Sequence, residues 1–113
     1  MNNELNTNRI FGERNVVEII IYLYLFGPKS RSDIYRTIST NPRMPIKLDL
    51  LQEYGLLNET VSNPGNRRTA SLTNLGKKYA MYLCEMERML GGNLEMHKWD
   101  IIKSGMDDAQ DGK

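Results

Sequence analysis

Residues 48–80 read LDLLQEYGLLNETVSNPGNRRTASLTNLGKKYA, and the order of signals in them decides the fold. Leu48 and Leu51 stand at i, i+3, and Met44 four residues earlier extends the same apolar stripe, which predicts a helix from about Arg43 to Tyr54. Pro42 and Pro45 crowd its start; Pro45 fits only in the first turn, where its missing N–H has no helical partner to lose. Gly55 closes the helix. Leu56 to Ser62 follows with Leu57, Thr60 and Val61, then Asn63-Pro64-Gly65-Asn66 with the composition of a turn, then Thr69 to Leu72. The pattern is a β-hairpin with Arg67 and Arg68 at its tip. Thr73 is placed as the N-cap of a long helix through NLGKKYAMYLCEMERML.

Upstream, Asn15 and Glu18 have the spacing of a capping box, followed by VVEIIIYLYLF and a stop at Gly27-Pro28. A continuous apolar run also describes a buried strand; the cap and the length favour helix. Ser30 and Asp33 repeat the capping spacing, so a short helix should run from Arg31 to about Ser39 with Ile34 and Ile38 facing inward, broken by Thr40-Asn41-Pro42. Residues 1–14 read as a polar N-terminal arm and residues 15–90 as one domain. Within residues 91–113, LEMHKWDII (94–102) predicts a short amphipathic helix anchored by Trp99 and Ile102, and SGMDDAQDGK a disordered acidic tail.

A chain of 113 residues, 40% hydrophobic and 26% charged, suits a single globular domain with a real core. Its single cysteine, Cys84, excludes an internal disulfide framework or a cysteine-based zinc site, and its place between Leu83 and Met86 makes a buried apolar role the default. The polar, acid-bearing N-terminus is unlike a signal peptide, and the longest apolar stretch, Val16 to Phe26, is too short to span a bilayer. Together these point to the cytoplasm, with no membrane role.

Net charge is only +1, but its distribution is uneven. Residues 28–78 hold nine bases against four acids, whereas the flanking segments are net acidic. The basic middle coincides with the helix, turn, helix and hairpin, and helix-turn-helix is the motif that presents the N-terminal half of its second helix to a DNA major groove. Arg43 and Lys47 are one turn apart; on an outward face, arginine would fork onto guanine and lysine would neutralise phosphate. The order helix, helix, helix, hairpin, helix makes the chain mostly α with a small β-hairpin (α+β), a winged helix-turn-helix with a C-terminal dimerisation helix. In such a fold the arginines at the tip meet the backbone or follow the minor groove.

The stretch quoted above resembles the run common to winged helix-turn-helix regulators: a leucine-bearing helix, Gly-Leu, a wing with a Gly-Asn or basic tip, then Leu-Thr and a glycine three residues on. The matching residues are Leu51, Gly55, Leu56, Gly65, Asn66, Leu72, Thr73 and Gly76, and GPKSRSDIYRTI upstream is similar to the second-helix entry of the same proteins. The resemblance covers about residues 15 to 90 and is closest to small prokaryotic, particularly archaeal, regulators of the MarR and PadR kind. It implies a dimeric, double-stranded-DNA-binding transcriptional regulator. The candidate DNA-contacting residues are Ser30, Arg31, Arg36, Asn41, Arg43, Met44 and Lys47 on the helical part and Asn66, Arg67 and Arg68 on the wing.

Leu75, Tyr79, Tyr82, Met86, Met89 and Leu90 lay a broad apolar face along the last long helix, wider than one short domain covers, and are the candidate homodimer contacts. No nucleotide-binding, hydrolase or zinc-protease motif is present, and the lone His97 cannot make a metal site by itself, so neither enzyme activity nor a cofactor is expected. Alternative classes are a winged helix serving as a protein-interaction module in a larger assembly, or an architectural DNA-binding protein. A regulator taking a small-molecule effector in its dimer cleft is a further class, for which the sequence marks no convergent polar pocket.

Overall fold

The continuous apolar run Val16–Phe26 is a helix, and it is apolar nearly all round because it lies at the centre of the molecule. The computed structural model describes residues 4–62, 65 and 67–111, with side chains through Ser104. Its elements in chain order are α1 (Asn6–Phe11), α2 (Val16–Phe26), β1 (Lys29–Ser30), α3 (Arg31–Thr37), α4 (Met44–Glu53), β2 (Leu57–Ser62), β3 (Arg67–Leu72), α5 (Asn74–Met89) and α6 (Leu94–Asp111). Val16, Ile19, Ile20, Ile21, Tyr22 and Leu23 of α2 form the centre of one core, which Ile34, Leu48, Leu51, Leu56 and Leu57 close from the other elements.

The expected capping box at Asn15 does not form. Asn15 takes a left-handed backbone, φ 74°, and its side chain makes no cap hydrogen bond. Asparagine tolerates that conformation, and its carbonyl still accepts the first helical bond from the Ile19 N–H at 3.0 Å. Ser30 does cap α3, its Oγ accepting from the Asp33 N–H at 3.1 Å, but the helix stops at Thr37 rather than near Ser39.

The hairpin pairs Thr60 with Thr69 and Ser62 with Arg67, so β3 begins two residues earlier than the sequence suggested. A third strand escaped the sequence: Lys29 and Ser30 pair antiparallel with Ala70 and Thr69, placing β3 at the centre of a sheet ordered β1-β3-β2. Of the four turn residues only Gly65 is described, at φ +92°, a left-handed position that glycine adopts without cost. Asn66 lies outside the described residues.

Thr73 caps α5 as expected, accepting from the Gly76 N–H at 3.0 Å while its hydroxyl donates to the Gly55 carbonyl at 2.5 Å. The two ends of the sequence depart from expectation. Residues of the N-terminal arm form α1, whose Ile10 is buried in the core. The tail is helical through Asp111, so α6 continues well beyond residue 102.

Candidate nucleic-acid interface

The wing and the start of α3 face one another across an open groove of about 330 Å³ lined by Ser30, Arg31, Ser32, Gly65, Arg67 and Arg68. Strand β1 makes this neighbourhood, since it hands the chain from the sheet directly into α3. Arg67 and Arg68 are exposed; Arg68 Nε stands 3.9 Å from Glu59 while its side chain remains 56% exposed.

Arg31 has a different role from the one its charge suggests. Its Nε donates to Glu59 Oε2 at 2.7 Å, and its Nη2 donates to Glu59 Oε1 at 2.6 Å and to Asp49 Oδ1 at 3.0 Å. A forked pair of this kind is among the strong hydrogen-bonding arrangements. Gln52 adds a donor to Glu59 Oε1 at 2.8 Å. The Arg31 fork holds the Glu59 carboxyl below its ordinary value against the opposing effect of burial, and Glu59 in turn pushes Arg31 further up. Arg31 is thus consumed within the protein.

The first turns of α4 require a second correction. Met44 is fully buried and Lys47 is only 3% exposed, so neither is presented to a duplex. Successive helical residues turn by about 100°, which sets Lys47 about 60° from Met44 and about 40° beyond Leu51, on the edge of the apolar stripe. The outward face carries Ile46, Asp49 and Glu53 instead, and Ile46 is 52% exposed. The phase of the leucine stripe held this signal; the charge of Lys47 obscured it.

Arg43 remains exposed at the mouth of α4, its Nη2 donating to Glu13 Oε1 at 3.3 Å. Asn41 shapes that entry: its Oδ1 accepts from the Arg43 N–H at 2.8 Å and its carbonyl from the Met44 N–H at 3.0 Å. Arg36 is exposed and pairs with Asp33 on its own helix. Helix α1 reaches the C-terminal cap of α4, with Arg9 over the Tyr54 ring at 5.7 Å and Tyr54 Oη donating to Asn6 at 3.5 Å.

On the far side, α5 turns Ala80, Leu83 and Cys84 into the core and leaves Leu75, Met81, Tyr82, Met86, Met89 and Leu90 exposed. Met96 and Trp99 of α6 are exposed as well. Tyr79 departs from the expected set, being half-buried against Phe11 of its own chain with ring centroids 6.3 Å apart. Burial pushes the Cys84 thiol up, away from the thiolate that redox chemistry needs. A second cleft, about 400 Å³, lies between α2, α3 and α6 and brings Lys29, Arg36 and His97 near Tyr22 and Phe26, a convergence the sequence did not show. Among the described residues, no group of three His, Cys, Asp or Glu side chains converges to hold a metal, and no helix is long and apolar enough to cross a membrane.

No family model and no curated protein matches the chain. Solved structures do. A MarR-family transcriptional regulator from Porphyromonas gingivalis W83 superposes with a TM-score of 0.63 at 22% identity, over 82% of this chain and 96% of that one. A mutant MepR from a multidrug-resistant S. aureus clinical isolate gives 0.62 at 19%, over 95% and 83%. Reduced AbfR bound to DNA gives 0.55 at 15%, over 90% and 77%. At these identities the likeness shows the winged helix-turn-helix fold.

Proposed function

We propose that the chain binds double-stranded DNA as a homodimeric transcriptional regulator, with the N-terminal end of α4 in the major groove and the β2–β3 wing on the backbone or minor groove. The observation that carries this reading is the gathering of Arg67 and Arg68 with Ser30 and Ser32 around one open groove. Arginines and serine hydroxyls are the usual phosphate contacts, and such contacts set the register of a protein on its duplex. Arg43, Arg36 and Asn41 complete the surface, and Ile46 takes the reading position first assigned to Lys47; an apolar side chain there suits a thymine methyl. AbfR, one of the similar structures, was solved bound to DNA, which supports the same use of the fold here.

Titration of labelled duplex at several salt concentrations tests this. Affinity of the wild type should fall steeply with salt, and an Arg67→Ala/Arg68→Ala variant should show a slope smaller by up to about 2 units per protomer engaged. Equal affinity and equal slope would remove the wing from the interface.

The exposed stripe on α5 is the proposed dimer surface, since Leu75, Tyr82, Met86, Met89 and Leu90 form one apolar patch. A two-fold dimer would set two α4 helices on half-sites about 34 Å apart. A Tyr82→Glu/Met86→Glu variant should sediment with half the wild-type mass and keep its helical spectrum, because both side chains lie outside the core. A variant that remains dimeric would place the contact elsewhere.

A further inference from the structure

Glu59 is an awkward residue for a surface meant to meet a polyanion, because a carboxylate there repels phosphate. It is nevertheless the point where the parts of the interface meet. Arg31 from the first turn of α3 forks onto both its oxygens, Gln52 of α4 donates to one of them, and Arg68 of β3 stands 3.9 Å away. The same Arg31 reaches Asp49 of α4. The Glu59 and Arg31 side chains are only 6% and 13% exposed.

Among the described residues, apolar packing does not hold the outer half of the wing. The buried residues of the hairpin are Leu57 at its base and Ala70 halfway along, paired with Glu59, whereas Val61, Ser62, Gly65, Arg67 and Arg68 beyond them are all exposed. The Glu59 joint sits at the boundary between the two halves. We infer that Glu59 is a positioning residue for DNA binding, fixing the angle of the wing to α3 and α4 so that Arg68, Arg67 and Arg43 address one duplex together. Arg31 serves that joint and contacts no phosphate. This rests on the DNA-binding reading above; its gain is preorganisation, since a wing already held in place costs less to bind.

Two isosteric variants separate position from charge. Glu59→Gln and Asp49→Asn each remove one negative charge from the same surface, but Asp49 is 66% exposed and holds only one arm of Arg31. Charge alone would make both bind a fluorescein-labelled mixed-sequence duplex more tightly, with a steeper salt slope. Positioning requires Asp49→Asn to bind more tightly and Glu59→Gln to bind more weakly, by about tenfold. Glu59→Gln binding as tightly as wild type, or more tightly, overturns the inference.

Amide hydrogen exchange supplies an independent readout. In Glu59→Gln the amides of β2 and β3 should exchange faster while those of α2 keep their protection; an unchanged hairpin also overturns the inference. If Glu59→Gln fails to fold, Arg31→Lys serves instead, because it keeps the charge and gives up the fork. It should lower affinity without changing the salt slope, and unchanged affinity counts against the joint. A wild type that binds no duplex overturns the DNA-binding reading and this role with it, while the exchange measurement still reports separately whether the joint holds the wing.

Discussion

Replacing Arg31 with alanine should cost about 3 kcal/mol of folding stability, because it leaves the buried Glu59 carboxylate without its forked partner, only Gln52 still donating to it. The figure stands at the low end for a broken buried pair because the Asp49 arm is solvated. For a domain of this size the loss corresponds to a melting temperature lower by about 12 °C. Urea unfolding should show the midpoint moving with an unchanged slope. Arg36→Ala, which removes an exposed pair within one helix, should stay within about 0.5 kcal/mol of wild type. If the two variants melt together, Arg31 is a surface charge after all. The same joint gives stability a pH dependence of known sign. The folded Glu59 pKa lies below its ordinary 4.5, so its contribution is complete above that value and drains away as pH falls through the lowered one. Wild type should therefore lose stability more steeply with acid than Glu59→Gln.

Gly76→Ala should destabilise by about 2 to 3 kcal/mol, although glycine to alanine in an open helix ordinarily gains about 1 kcal/mol. A Cβ at Gly76 would stand 2.1 Å from the Leu56 carbonyl oxygen and 3.1 Å from Leu72 Cδ2. That carbonyl cannot simply retreat, since it accepts the Thr73 N–H at 3.1 Å. Gly105 in α6 provides the opposite case. Among the described residues nothing lies within 4 Å of its added Cβ, so Gly105→Ala should raise stability, by up to about 1 kcal/mol. Thermal melts of the two variants should move in opposite directions, and a stabilised Gly76→Ala would mean that α5 sits further from the hairpin base.

What the sequence revealed and what it hid follow from range. The closing of α4 at Gly55, the hairpin and the Thr73 cap are set by neighbours a few residues apart, so each left a readable local mark. Strand β1 has two residues and no alternation to detect; its existence depends on partners forty residues away. Helix α1 is equally mute, since among its six residues only Ile10 is buried. At the candidate interface, Arg31 illustrates the limit. A phosphate ligand and a structural clasp look alike at that position, and the partner that distinguishes them, Glu59, lies 28 residues on. Lys47 was legible in principle, because helical phase places it with the leucines, but the attraction of a basic residue outweighed the geometry.

Helix α4 keeps two ledgers apart. Met44, Lys47, Leu48 and Leu51 are turned inward, while Ile46, Asp49 and Glu53 are turned outward, and no residue of the helix contributes its full surface to both. Descendants of this chain are therefore free to exchange Ile46 and Glu53, though not Asp49, which holds Arg31, and change what the helix touches without eroding the fold that carries it. Inherited variation should collect at 46 and 53 and be sparse at 44, 48 and 51, so that new recognition can arise by single steps through stable intermediates.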